Sequence, residues 1–164
     1  MAEVVALELV NPLEWSSLAV AEGWRIGRVE EASLLVLGGG EIEQLMQVVL
    51  RFAKRLGDAA VDKHGEIASV GSIVVILEPS AQVAGAASPE AVMKAAATRA
   101  WVESMALSLG PRLRVNAVVA QSSIEAWVGV RYLASSPVVT GRILGLASYP
   151  RPYVGVRSGF DLTA

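Results

Sequence analysis

GSIVVIL (residues 71–77), AWVESMALSLG (100–110), RLRVNAVVA (112–120) and YLASSPVVTGRILGL (132–146) follow one another in the second half of this chain. Their order decides the fold. GSIVVIL is a short β-branched run between Gly71 and Glu78-Pro79, the form of a strand buried on both faces of a parallel sheet. Ser88-Pro89-Glu90 is a helix start, with Ser88 as N-cap and Pro89 at the first helical position. That helix is expected to run to Leu109 and stop at Gly110-Pro111. Leu113–Val119 then reads as a strand, Ile124–Ala134 as a helix and Arg142–Leu146 as a last strand.

Upstream the same alternation continues. Glu3–Val10 is a strand ending at Asn11-Pro12, and Pro12–Glu22 a short helix closing at Gly23. Trp24–Val29 reads as a half-exposed strand, and Ser33–Gly38 as a buried one entering Gly38-Gly39-Gly40. Glu43–Gly57 carries Leu45, Met46, Val48, Val49, Phe52, Ala53 and Leu56 on more than one helical face. Its helix is expected to reach Val61, before a loop at Asp62–Ile67. Strands alternating with helices predict right-handed βαβ units: an α/β, Rossmann-like three-layer αβα domain over residues 1–148 with a parallel sheet of about five strands. After Ser148 periodicity ends. Residues 149–164 hold Tyr149, Tyr153 and Phe160 among prolines and glycines, the pattern of an arm that docks on something or of a loosely ordered terminus.

With 164 residues the chain is one domain's worth. Hydrophobic residues make up 53% and charged ones 18%, with a mean hydropathy of +0.48. That is apolar for its size. No run approaches the ~18 apolar residues of a membrane span, and the helix around Trp101 carries Lys94, Arg99 and Glu103. The apolar surplus therefore predicts burial against other subunits as well as in the core. Net charge is −2, and the only basic cluster, Arg51, Lys54 and Arg55, reads as one helix face, which argues against nucleic acid. There is no Cys, hence no disulfide, thiol nucleophile or cysteine metal site, and no metal-ligand spacing appears. MAEVVALELV has no basic segment before its apolar residues, so a secretory signal is not expected and a cytoplasmic location is.

Arg114-Val115-Asn116-Ala117-Val118, preceded by Leu107-Ser108-Leu109-Gly110 and followed by Thr140-Gly141, resembles the C-terminal half of the short-chain dehydrogenase/reductase family. The resemblance covers roughly residues 30–147 and is most specific over 71–146. In that family a strand ends in the catalytic Ser, thirteen positions before the Tyr of a Tyr-x-x-x-Lys helix. Counting back from Gly110 puts Ala91 at the Tyr position and Ala95 at the Lys position, and Glu78 falls where the Ser belongs. In any register the tyrosines, Tyr132, Tyr149 and Tyr153, lie beyond this helix. The asparagines are Asn11 and Asn116, so the family's catalytic Asn is missing too. Carbonyl reduction needs a phenol within hydrogen-bond reach of the substrate. Alanine supplies no proton.

The resemblance also implies a dinucleotide, NAD(P), seated on a Gly-rich turn after the first strand. Here Asn11-Pro12-Leu13-Glu14 follows Glu3–Val10, and Ala120-Gln121 stands where the family has Pro-Gly. Gly38-Gly39-Gly40 follows the strand that matches the family's fourth. ALELVNP (6–12) resembles the family's third strand, which implies that the N-terminal dinucleotide-binding half is lacking and that no cofactor binds. Glu3–Val10 is expected to lie beside Ser33–Gly38, whose apolar edge would otherwise be exposed.

Among single residues, His64 sits in a polar loop beside Lys63 and reads as solvent-exposed. Ser80, Ser122 and Ser123 lack a neighbouring base, and Asp58 and Asp62 read as solvated. Glu78, at a strand's carboxyl end, could serve as a base in a cofactor-independent lyase or isomerase, although Pro79 redirects the loop there. In the family the two long helices form a four-helix bundle with a second subunit. At ~100° per residue, Ala91, Ala95, Thr98 and Val102 face the sheet, and Trp101 lies on the flank. The expected interface is Leu45, Val49, Phe52, Ala97 and Trp101, joined by Tyr149, Tyr153 and Phe160. The function expected is that of a non-catalytic subunit, a pseudoenzyme that joins a complete short-chain reductase or a second copy of itself.

Overall fold

A computed structural model describes residues 3–38, 41–57, 71–77, 88–110 and 112–146. Six parallel strands form one sheet: β1 (Val4–Glu8), β2 (Arg25–Ile26), β3 (Leu34–Leu37), β4 (Gly71–Leu77), β5 (Leu113–Val119) and β6 (Ile143–Gly145). Among the described residues four helices lie between them: α1 (Pro12–Ala21), α2 (Ile42–Gly57), α3 (Pro89–Leu109) and α4 (Ser123–Ser135). The strand order is β2-β1-β3-β4-β5-β6. The architecture is the Rossmann-like αβα sandwich, with six strands rather than about five.

The central strands β3, β4 and β5 are buried almost throughout, which their continuous apolar runs require. Alternate residues feed two cores. Leu35, Leu37, Ile73, Val75, Val115 and Ala117 meet α2 and α3 on one face. Leu34, Val36, Val74 and Val118 meet α1 and α4 on the other. On α2 the inward residues are Leu45, Val48, Val49 and Phe52, at the three- and four-residue steps of a helix stripe. On α3 they are Ala95, Thr98, Trp101, Val102 and Ala106. The expected core face of Ala95, Thr98 and Val102 is the one observed.

β1 lies beside β3, as expected, pairing Val5 with Leu34 through Glu8 with Leu37. Its likeness to the family's third strand does not carry over to position. β2 lies outside β1, so β1 holds the central place of a first strand, as its buried Val5 and Ala6 demand. The chain then returns from β2 to β3 through Gly27–Ser33, a handful of residues where a parallel crossover ordinarily takes a dozen or more. Gly27 makes this possible: a Cβ there would stand 2.4 Å from Val4 Cγ1. Val29 and Ala32 of this loop pack into the α2/α3-side core.

The expectation of uniformly right-handed crossovers fails at one connection. The steps β3→β4, β4→β5 and β5→β6 all advance the same way across the sheet. α2 and α3 cover one face, yet α4 covers the opposite face. The α4 crossover therefore has the opposite hand, against the strong general preference. Trp127 of α4, edge-on to Trp15 at 6.1 Å and to Trp24 at 6.3 Å between ring centroids, anchors it to the α1 side.

Candidate functional site

In an open α/β sheet ligands sit outside the carboxyl ends of the strands, where the order reverses. Here that point lies between β1 and β3. There the pairing of the two strands continues, the Gly38 amide donating to Glu8 O at 2.9 Å. After Glu8, Leu9 takes the left-handed conformation (φ 59°), unusual for a branched residue. Its carbonyl lies against Gly38 so closely that a Cβ at Gly38 would stand 1.9 Å from Leu9 O. Gly38 is thus needed for packing between backbones, whatever surrounds it.

A dinucleotide's pyrophosphate would need the amide donors at the start of α1. Pro12 has no N–H, and the Leu13 amide donates to Asn11 Oδ1 at 3.2 Å. Glu14 adds a carboxylate to the first turn, held by the Ser123 hydroxyl of α4. The start of α4 is capped from within: Ser122 Oγ accepts from the Glu125 amide at 3.3 Å, and Glu125 Oε2 accepts from the Gln121 amide at 3.1 Å. This reciprocal pattern satisfies both donors. Beside α2 and α3, Lys94 Nζ is held by Glu41 at 2.7 Å, with Glu43 and Glu90 near the same cleft. Among the described residues the start of α1 does not fit the pyrophosphate of NAD(P), which would meet the Glu14 carboxylate and an engaged Leu13 amide.

Of the residues that the resemblance assigns to proton transfer, Ala95 is buried on α3. Ala91 belongs to the first turns of the same helix. Glu78, His64, Tyr149, Tyr153 and Phe160 lie outside the described residues. Between β5 and α4 there is only Ala120–Ser122, so this connection provides no loop to cover the carboxyl edge. Among the described residues no group of three His, Asp or Glu side chains is arranged to hold a metal.

The motif that carries the family likeness has a structural task. Arg114 reaches under the sheet to the end of α4, where its guanidinium donates to the Ser136 carbonyl, to Ala134 O at 3.2 Å and to Leu133 O at 3.5 Å. Burial lowers its pKa from the usual arginine value, and Glu3 opposes that shift. Asn116, fully buried, donates to Val139 O at 2.9 Å and accepts from the Arg142 amide at 3.0 Å. Thr140 Oγ1 accepts from the Val115 amide at 3.1 Å. Arg114 and Asn116 therefore pin the wrong-handed α4 crossover and seat β6. Sequence reading did not foresee this, since only the fold brings residues 114–116 against 133–142.

Four expected interface residues turn inward. Leu45, Val49 and Phe52 are at most 1% exposed and Trp101 9%, all within the α2/α3-side core. An α-helix lying on a sheet must bury its most apolar stripe there first. The outer face is formed instead by Met46 and Leu50 on α2, and by Met93, Ala97, Ala100, Ser104 and Leu107 on α3. Among the described residues of the expected set, only Ala97 is exposed.

Comparison with known proteins agrees with the geometry. The family model of short chain dehydrogenase-like proteins matches residues 49–146, well over half of the chain. The chain belongs to this short-chain dehydrogenase-like family. No curated protein matches it in sequence. Solved structures resemble it in fold. An acetoin dehydrogenase from Salmonella typhimurium aligns with TM-score 0.66 at 16% identity, over 88% of this chain and 95% of its own. A short chain oxidoreductase from Pseudomonas aeruginosa with an atypical catalytic center gives 0.64 at 14%, over 92% and 98%. A Brucella ovis oxidoreductase of the family, solved with a partially ordered NAD, gives 0.62 at 14%, over 90% and 100%. At these identities the likeness is one of architecture. No described helix is long and apolar enough to cross a membrane.

Proposed function

We propose that this chain is a non-catalytic assembly subunit, which joins a complete short-chain reductase or a second copy of itself through the outer face of α2 and α3 and so supports the partner's stability or substrate pocket. The observation that carries this reading is the surface of α3. Met93 is 72% exposed and Leu107 86%, with exposed Ala97, Ala100 and Ser104 between them at four- and three-residue steps. That is a helix-pairing seam with bulky ends and a small centre. Small residues let two helices approach to about 8 Å. On α2, Leu50 at 59% and Met46 at 41% widen it. Leaving these side chains in water is costly at roughly 25 cal/mol per Å².

The chemistry points the same way. By the family resemblance alanines fall at the Tyr and Lys positions, and the start of α1, with Asn11, Pro12 and Glu14, offers a pyrophosphate little. Expressing the chain alone and with a complete reductase from the same genome, then weighing each product by light scattering, tests the reading. A stable monomer in both preparations, at concentrations where oligomeric reductases assemble, would sink it. Substrate turnover by the isolated chain, abolished by Glu78→Gln, would do the same in favour of an enzyme.

A further inference from the structure

The layer opposite the proposed assembly face has an apolar stripe of its own. On α4, Ile124, Val128 and Tyr132 follow one another at four-residue steps, each more than half exposed. Residues so spaced share one face of a helix. Their charged neighbours are turned away from it. Arg131 is held on the α1 side by Glu22 at 2.8 Å, and Glu125 folds back on the Gln121 amide at 3.1 Å. Toward the C-terminal end of the helix the stripe opens into a cleft of about 500 Å³, lined by Val128, Arg131 and Tyr132 together with Trp24 and Glu3. A row of apolar side chains left in water beside a cleft marks a docking surface.

The course of the chain points to what covers it. β6 is the edge strand, and Leu144 and Leu146 pack on the α1/α4-side core. Leu146 lies against α4 itself: a Cβ on Gly129 would stand 2.9 Å from Leu146 Cδ1. Gly129 is only ~60° around the helix from Tyr132, at ~100° per residue. The chain therefore leaves the sheet beside the exposed stripe. Residues 147–164, which come next, lie outside the described residues and include Tyr149-Pro150-Arg151-Pro152-Tyr153.

We propose that the segment Tyr149–Tyr153 of this chain docks along α4, with Tyr149 toward Ile124 and Tyr153 at the cleft beside Tyr132 and Trp24. The spans agree. Ile124 to Tyr132 is ~12 Å of helix, and Tyr149 to Tyr153 is ~13 Å of extended chain. From Leu146 to Tyr149 the chain can reach ~10 Å, enough to pass from the Gly129 flank to the outer face. Pro150 and Pro152 favour extended backbone in the residues before them. Having no N–H, they also make the segment a poor addition to the free edge of β6. A tyrosine ring, apolar in body and polar at its tip, suits a cleft bounded by Trp24, Arg131 and Glu3. The proposal stands independently of the assembly role, which uses the other layer.

The chain has no Cys, so a nitroxide attached through Val154→Cys reports where the segment lies. In the full chain it is expected to broaden the amide resonances of Ile124, Val128 and Tyr132 and to leave those of Met93 and Leu107, on the opposite layer, sharp. Val128→Lys, at an exposed position, should abolish the broadening while circular dichroism stays unchanged. Tyr149→Ser combined with Tyr153→Ser should do the same without touching α4. An isotope-labelled chain without nitroxide, mixed with a nitroxide-bearing chain without isotope, should show no broadening, because the contact is made within one chain. Broadening that survives both variants would come from the tether at Leu146 alone and would overturn the proposal. Broadening in the mixed sample would overturn it in favour of a second copy's segment, and broadening confined to Met93 and Leu107 in favour of the assembly face.

Discussion

Leu9 and Gly38 meet backbone to backbone across the reversal point of the sheet, close enough that a methyl group on Gly38 would stand 1.9 Å from the Leu9 carbonyl oxygen. The contact extends the β1–β3 pairing past Glu8 and Leu37, where the Gly38 amide also donates to Glu8 O at 2.9 Å. Gly38→Ala is therefore expected to destabilise the chain by about 3 kcal/mol, the upper range for overpacking. Urea unfolding would show it, and a midpoint unchanged from the parent would mean that the two segments separate readily.

The start of α1 predicts behaviour toward nucleotides. NADH and NADPH are expected to give no saturable fluorescence change with the isolated chain, because the α1 amides are engaged and Glu14 repels phosphate. Replacing Glu14 by Ser removes one charge and leaves Asn11 and Pro12 in place, so it should not create binding. A clear isotherm for either protein would contradict the fit argued from the geometry.

Asn116 makes two buried hydrogen bonds to the strand-return segment. Asn116→Leu leaves the Arg142 amide and the Val139 carbonyl without their partner. A loss of about 2–3 kcal/mol follows from two such groups. Hydrogen exchange at Arg142 should accelerate before the rest of the sheet opens.

Arg114→Met keeps apolar length but removes the donors that close α4. A loss of about 1–3 kcal/mol is expected from the exposed chain end. As for pH, the folded state binds the Arg114 proton less tightly than the unfolded state. Stability linked to this group therefore rises with pH only between the folded and unfolded values, in strongly alkaline solution. Near neutrality it contributes no slope, and a denaturation series from pH 6 to pH 8 on Arg114→Met and the parent should give parallel curves.

Phe52 and Leu107 separate folding from the proposed assembly. Phe52→Ala, in the core, should cost about 3–5 kcal/mol. Leu107→Lys, at an 86% exposed position, should leave unfolding within about 0.5 kcal/mol and lower the oligomer mass measured by light scattering. An oligomer unaffected by Leu107→Lys would remove α3 from the interface.

Element type and order were legible because they follow from local rules. Asn11-Pro12 starts α1, as capping chemistry dictates, and GSIVVIL and RLRVNAVV can only be buried strands. The family likeness was legible as well, since Arg114-Val115-Asn116-Ala117-Val118 is a contiguous string. Of the candidate site, the sequence shows which residue types stand near position 91 and after residue 10, namely no tyrosine and no glycine-rich turn.

Other features depend on the way segments distant in the chain come together. Periodicity lists apolar residues on α2 but does not say which stripe meets the sheet, so Leu45, Val49 and Phe52 fell to the core and Met46 and Leu50 to the surface. Trp101 turned inward for the same reason. The hand of the α4 crossover, the short return through Gly27–Ser33 and the Leu9–Gly38 contact have no local signature. They arise from competition among elements for one sheet, in which buried area and backbone hydrogen bonding across the whole domain outweigh any preference a short segment has alone.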